Sequence, residues 1–402
     1  MSDRGAADWS TRDPTGGAGR GRRAAGPRRL LGVAAAAAAA AGVAGLAAAW
    51  VARDVSAAYG ASPEQVRARL PHSPQLRGNV FHNREQTRTL MPETGQSTLR
   101  ELLFGGQRRK PSGPIPVLAP PAAPARAGLQ VTWYGHASAL LEIGDRRVLV
   151  DPVWSPRCSP SPLAGPRRLH PVPVPLDLLP ELDAILISHD HYDHLDMPTV
   201  QLLVGTQSAP FVVPLGVGAH LDRWGVPPER IIELDWDGSV ELAGGLRLTA
   251  TPARHFSGRL LTKRNYTLWC SWVVSAPVPG GVTRRVYYTG DTGYFDGYPG
   301  IAEAYGPFDA TLIQVGAYDA RWPEIHMTPE EAVQAHLELR GGLLIPVHWA
   351  TFVLAFHAWS EPVDRLWQEA KARGVTLAVP RPGERVDVDS PPPVDGWWQA
   401  IA

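Results

Sequence analysis

Between an apolar stretch and a polar turn the chain reads Ser188-His189-Asp190-His191-Tyr192-Asp193-His194. A solvated surface loop has no need for three imidazoles and a carboxylate at this spacing, whereas a metal centre does. Neutral imidazole nitrogen and carboxylate oxygen are the donors that zinc and similar ions take. The apolar run 184–187 reads as a buried strand that delivers the cluster into a loop. Residues two apart in extended chain share a face, so His189 and His191 can grip one ion. Asp193 and His194, in the following turn, can reach a second.

Two ions need more donors than this run offers. Three further candidates each follow an apolar run: His255 in Pro252-Ala253-Arg254-His255, Asp291 in Gly290-Asp291-Thr292, and His348 in Val347-His348-Trp349. From residue 129 onward, short apolar runs alternate with turn signals. Strands are predicted at 129–134, 139–143, 147–150, 184–187, 211–213, 246–251, 272–274, 286–289, 311–315 and 343–347. Helices are predicted at 198–204, 216–224, 329–339 and 362–373. Thr328, Pro329 and Glu331 spell a capped helix start. Strands in bursts with few helices predict an α/β fold of two sheets with helices outside, a four-layered αββα sandwich spanning residues 128–390. Residues 391–402 read as a C-terminal tail.

Lys plus Arg balance Asp plus Glu at 39 each, so no overall field favours nucleic acid. The two cysteines, Cys158 and Cys270, form no Cys-x-x-Cys pair and no disulfide framework. Residues 1–29, basic and Gly-rich, read as disordered. The Ala-rich run 30–52 carries no charge and is long enough to span a bilayer. With arginines before it, it reads as an anchor that leaves the remainder outside the cytoplasm, or alternatively as a cleaved export signal. Residues 53–127 read as an extension with a Pro-rich linker.

The cluster at 189–194 resembles the signature of the metallo-β-lactamase superfamily. Further stretches resemble its N-acyl-phosphatidylethanolamine-hydrolysing phospholipase D branch: Tyr134-Gly135-His136, Asp151-Pro152-Val153-Trp154-Ser155, Gly165-Pro166-Arg167-Arg168, Gly316-Ala317-Tyr318-Asp319 and His326-Met327-Thr328-Pro329. The resemblance implies the metallo-β-lactamase sandwich and two Zn2+ ions, with other divalent metals as alternatives. His189, His191 and His255 would hold one ion, Asp193, His194 and His348 the other, and Asp291 would bridge them. Asp193, Asp291 and His326 would serve catalysis. Asp190 stands where the family has an uncharged residue, and its side chain is expected to point away. His136 either orients a ligand from behind or merely closes a strand. Trp154, Arg167, Tyr318 and Phe352 are candidates for substrate contact. The implied reaction is cleavage of N-acyl-phosphatidylethanolamine to N-acylethanolamine and phosphatidic acid, at a membrane. The alternatives are hydrolysis of a soluble ester, lactone or phosphodiester, and a non-catalytic, membrane-tethered metal-binding protein. A homo-oligomer is compatible with the sequence.

Overall fold

The computed structural model describes residues 52–90, 101, 105–121, 128–260 and 262–402. Arg53–Ala402 forms one compact unit. The run 30–52 lies outside the described residues except for Ala52, and among the described residues no helix is long and apolar enough to cross a membrane.

A short helix α1 (Pro63–Arg67) and a two-residue hairpin, β1 (Leu76–Arg77) and β2 (Val80–Phe81), precede the two main sheets. The first sheet has seven strands. In spatial order they are β15 (Arg385–Asp387), β3 (Leu129–Gly135), β4 (Ser138–Ile143), β5 (Arg146–Val150), β6 (Ala184–Leu186), β7 (Phe211–Pro214) and β8 (Ile231–Leu234). Its β15-to-β5 half is antiparallel and its β5-to-β8 half is parallel. The second sheet runs β14 (Gly341–Val347), β13 (Phe308–Gln314), β12 (Thr283–Tyr288), β11 (Ser271–Pro277), β10 (Leu246–Thr251), β9 (Ser239–Leu242). Strands such as β3 and β4 are buried at every residue, because one face meets the other sheet and the opposite face is also covered.

One hydrophobic core lies between the sheets, joining Val131, Leu141 and Val148 of the first to Leu248, Val274 and Leu312 of the second. A second core, with Leu149, Ile185 and Phe211, seats helices α2 (Met197–Thr206) and α3 (Gly218–Arg223) on the outer face of the first sheet. Helix α4 is Tyr298–Tyr305. Helix α5 (Pro329–Glu338) packs on β13, β14 and the last helix, α6 (Glu361–Ala372). The start of α5 is the capping box expected: the Thr328 side chain accepts from Glu331 N, and Glu331 accepts from Thr328 N. The layering is therefore α/β/β/α with mixed sheets.

Neither end of this unit is loose. The Phe81 ring is fully buried, and its amide donates to Asn265 O at 2.7 Å. The segment 105–121 crosses the C-terminus through Ser112 N to Ile401 O at 2.8 Å and Leu118 N to Pro382 O at 2.9 Å. The core continues past residue 390. Trp397 and Trp398 are buried against Trp349, which also stacks on Trp133 at 5.7 Å with 7° between the planes. Cys158 and Cys270 are free and buried.

Candidate metal centre

Strand ends deliver the cluster. The loop after β6 carries His189 to His194, and His255, Asp291 and His348 follow β10, β12 and β14. His136 follows β3. His136 and His348 sit in the left-handed region, at φ 52° and 65°, strained backbone held by the surrounding bonds. One is His348 N to His136 O at 2.8 Å and another is His136 N to Thr351 Oγ1 at 2.6 Å. Gly290, at φ 56°, lets the Asp291 loop close on Ser188: a Cβ there would stand 2.5 Å from Ser188 Cβ.

Two groups of donors meet at Asp291. In the first, His189 Nε2 is 2.8 Å from His191 Nδ1, and His255 Nε2 is 3.3 Å from the same atom. His189 and His255 face Asp291 Oδ2 at 3.9 and 3.8 Å. In the second, His348 Nε2 and His194 Nε2 stand 3.1 and 3.5 Å from Asp193 Oδ2. The same two nitrogens lie 3.1 and 3.2 Å from Asp291 Oδ2. Donors held by one tetrahedral zinc are about 3.3 Å apart, given bonds near 2.0–2.1 Å. Both groups bracket that spacing, so each could hold an ion. The chemistry of the set, nitrogen and carboxylate oxygen, fits zinc or a similar divalent metal. Asp291 Oδ1 and His194 Nε2 are buried and make no hydrogen bond, as donor atoms reserved for a cation would be.

The electrostatics agree. Burial works against the charges of Asp193 and Asp291, yet the facing imidazoles, His194 first, hold both carboxyls well below their ordinary range. Burial would depress His348, but Asp291 and Asp193 outweigh it and raise the imidazole to about 9. Burial keeps His189 and His255 well below the usual value and therefore neutral, the form that binds metal. At His194 burial is likewise outweighed by Asp291 and Asp193, which raise it well above its usual value, so the two ionised carboxylates hold positive charge on the imidazoles that face them.

Around the donors lies a set of orienting bonds. His255 Nδ1 bonds Ile325 O at 2.9 Å, and His194 Nδ1 bonds Asp151 Oδ2 at 2.6 Å. Asp151 also accepts from Ser188 N at 2.7 Å, Ser188 Oγ at 2.5 Å and the Tyr288 hydroxyl. Asn83, in the extension, donates to His255 O at 2.7 Å and accepts from His255 N at 3.1 Å. The Asp190 side chain points away from the cluster. It accepts from Gly258 N at 2.7 Å and Thr267 Oγ1 at 2.9 Å, with His220 Nε2 at 3.5 Å. The buried Arg259 ties the cluster's backbone to the extension, donating to Asp190 O, Leu195 O and Ala58 O. Sequence reasoning singled out neither Asp151, Asn83 nor Arg259 for the site. Only Asp151 carried a signal, as a carboxylate directly after an apolar strand.

His136 Nε2 meets Asp193 Oδ2 at 2.9 Å, so it touches the cluster. His326 Nε2 stands 3.9 Å from Asp291 Oδ2, and its Nδ1 is without a partner. A cavity of about 320 Å3 opens over the cluster, lined in part by His191, Asp193, His326, Leu90 and Leu354. Phe352 lies behind this, its ring edge-on to His136 at 5.1 Å. Tyr318 is not brought to the cluster: its hydroxyl donates to Glu361 at 2.7 Å and its ring stacks on His357. Trp154 and Arg167 line a different cleft.

Residues 146–349 match the β-lactamase superfamily domain, a span that holds the whole cluster except His136. The chain belongs to the metallo-β-lactamase superfamily. An uncharacterized protein of Mycobacterium tuberculosis is 50% identical over 382 residues, covering 92% of this chain and 99% of its own length. Among metallo-β-lactamase relatives of stated activity, N-acyl-phosphatidylethanolamine-hydrolyzing phospholipase D 1 of Caenorhabditis elegans is 36% identical over 260 residues. That match covers 62% of this chain and 72% of the relative. The fold is shared with a possible metal-dependent hydrolase from Veillonella parvula, at a TM-score of 0.51 and 19% identity, covering 65% of this chain and 99% of that one. The metallo-β-lactamase superfamily is one of metal-dependent hydrolases, and the cluster is where this chain could hold the metal.

Proposed function

We propose that the protein is a dizinc phosphodiesterase of phospholipase D type, cleaving N-acyl-phosphatidylethanolamine to N-acylethanolamine and phosphatidic acid. The observation that carries this reading is the pair of donor groups sharing Asp291 beneath an open cavity. The relationship to the nematode enzyme supplies the substrate class. His189, His191 and His255 would hold one ion, and Asp193, His194 and His348 the other, with Asp291 between them. Such a pair supplies Lewis acidity toward phosphoryl oxygens and water made acidic enough to act as a nucleophile near neutral pH. The protein's own residues do the placing. Asp193 Oδ2, shared by His136, His194 and His348, is held as an ionised acceptor for a water proton. His326 lines the cavity beside Asp291 and is the imidazole placed to meet a phosphodiester oxygen there. Leu90 and Leu354 on the same wall give an acyl-bearing substrate an apolar surface.

Leu163, 72% exposed in the loop between β5 and β6, supports contact with a membrane surface. The run 30–52 would then anchor the chain with the catalytic unit outside the cytoplasm, and cleavage of that run would instead release it. Membrane fractionation with determination of the mature N-terminus distinguishes the two.

The test presents N-acyl-phosphatidylethanolamine in detergent micelles to the metal-loaded full chain and follows N-acylethanolamine by mass spectrometry. Release abolished by a chelator is the expected result. No release from protein holding two metals per chain would refute the substrate and leave a soluble ester or phosphodiester in its place.

A further inference from the structure

Across Phe352 from the metal cluster lies a second cleft, of about 1040 Å3, lined by Lys110, Trp154, Arg157, Arg167, Arg168 and His170 among others. Four of these side chains are cationic, and among the described residues no carboxylate lines the cleft. The loop is pinned so that the arginines face one space. Arg157 and Arg167 pair as an antiparallel bridge, Arg168 N bonds Pro156 O at 2.9 Å, and Arg157 Nη1 donates to Gly165 O at 2.6 Å.

Arg168 is the informative residue. Its Nη2 donates to Val153 O, but its Nε and Nη1 are buried and have no hydrogen-bond partner. Burial lowers its pKa to about 10, with Asp196 the carboxylate that opposes the loss. Asp196 is itself engaged by Ser155 N and the Thr199 hydroxyl, and it makes no ion pair with the guanidinium. The guanidinium lies over the Phe352 ring at 5.2 Å, which holds the fork in place. The side chain is half-buried and its two idle donors are shut off from solvent, which is destabilising unless something accepts from them; an anion in the cleft would engage them by drawing the fork outward. Guanidinium is also the group that matches two oxygens of a tetrahedral anion at once.

We propose that this cleft is a second anion-binding site that takes the phosphate group of a phosphate ester on Arg168, with Lys110, Arg157 and Arg167 around it. It is separate from the metal cluster, with Phe352 and His136 standing between. The site is independent of which ester the metals cleave, because no metal donor contributes to it. The anion comes either from a lipid headgroup or from a soluble phosphate compound.

The test compares the metal-loaded full chain with Arg168→Met, which keeps the length of the side chain and removes the charge. Binding is measured by calorimetry with inorganic phosphate and with dihexanoyl phosphatidic acid. A third probe is sedimentation with phosphatidylcholine vesicles carrying phosphatidic acid. Metal content and melting temperature establish that the variant is folded. One binding event is expected to weaken about tenfold or more in Arg168→Met, the scale of charge-assisted hydrogen bonds removed. Weakening already seen with inorganic phosphate assigns the site to the phosphate group alone. Weakening confined to vesicles assigns it to a lipid headgroup. If Arg168→Met fails to fold, the double variant Lys110→Met, Arg167→Met, altering two exposed side chains, is expected to weaken the same event about threefold at low salt. Unchanged affinity for all three probes, in whichever variant is folded, overturns the proposal.

Discussion

Replacing Asp151 by Asn keeps the shape of a buried side chain and removes its charge. The carboxylate accepts from Ser188 N, Ser188 Oγ, His194 Nδ1 and the Tyr288 hydroxyl. An amide oxygen can keep Ser188 N, and the two hydroxyls can rotate to accept from the new amide. The imidazole can comply only by moving its proton to Nε2, the atom 3.2 Å from Asp291 that the metal needs. Loss of one hydrogen bond to a charged group is worth about 1.5–3 kcal/mol. That corresponds to about 10- to 100-fold in the dissociation constant of the ion shared by Asp193, His194 and His348. The other ion feels less, because His189 reaches Asp151 only through Ser188 Oγ, at 2.9 Å from His189 Nδ1. Graded chelator competition with elemental analysis of the retained metal should show Asp151→Asn releasing one equivalent well before the second. Two equivalents retained within twofold of wild type would refute the account of Asp151 as the residue that sets the His194 tautomer.

If the cluster holds the two proposed ions, chelation should lower the melting temperature as well as abolish the proposed hydrolysis. Ligand at a hundredfold excess over its dissociation constant stabilises the folded state by about 2.7 kcal/mol, and a melt unchanged by chelator would count against a preformed centre. His336, bonded through Nδ1 to Thr311 Oγ1 at 2.7 Å, has its pKa pushed down by burial to about 4. Its folded value lies below its unfolded one, near 6.5. The unfolded chain therefore binds the extra proton, and stability is full above about pH 6.5 and falls toward pH 4. At most about 3 kcal/mol is lost there, and His336→Gln should flatten that part of the melting-temperature profile. Thr328→Ala removes the cap of α5 and should destabilise by about 1 kcal/mol in denaturant titration without altering metal content.

Much of this is readable in the sequence, and the reason is locality. The strand ends at 187, 251, 289 and 347 announce themselves as apolar runs, and each is followed by a metal-binding residue type. The seven-residue run at 188–194 makes the centre visible on its own. What escaped notice works at long range. His194 finds Asp151 across 43 residues, His255 finds Asn83 across 172, and Arg259 reaches Ala58 across 201. The missed strands β8 and β9 are at sheet edges and only partly covered, so their patterns are diluted by polar residues. Helix α4 reads Tyr-Pro-Gly at its start, a turn signal that packing turned into a first helical turn. Tyr318 shows the opposite failing. Its surroundings in sequence mark it for the site, yet the hydrogen bond to Glu361 aims the phenol elsewhere.

Trp349 follows His348 of the candidate metal cluster and sits among Trp133, Trp359, Trp397 and Trp398, with ring centres 5.6 to 6.5 Å away. Transitions of indoles this close couple, so the group should give the protein an exciton band in circular dichroism and rapid energy transfer among its fluorophores. The partners come from β3, from the loop just before α6 and from the last residues of the chain. The metal loop therefore carries its own optical gauge, read without a label, that reports whether the two ends of the catalytic unit have closed behind it.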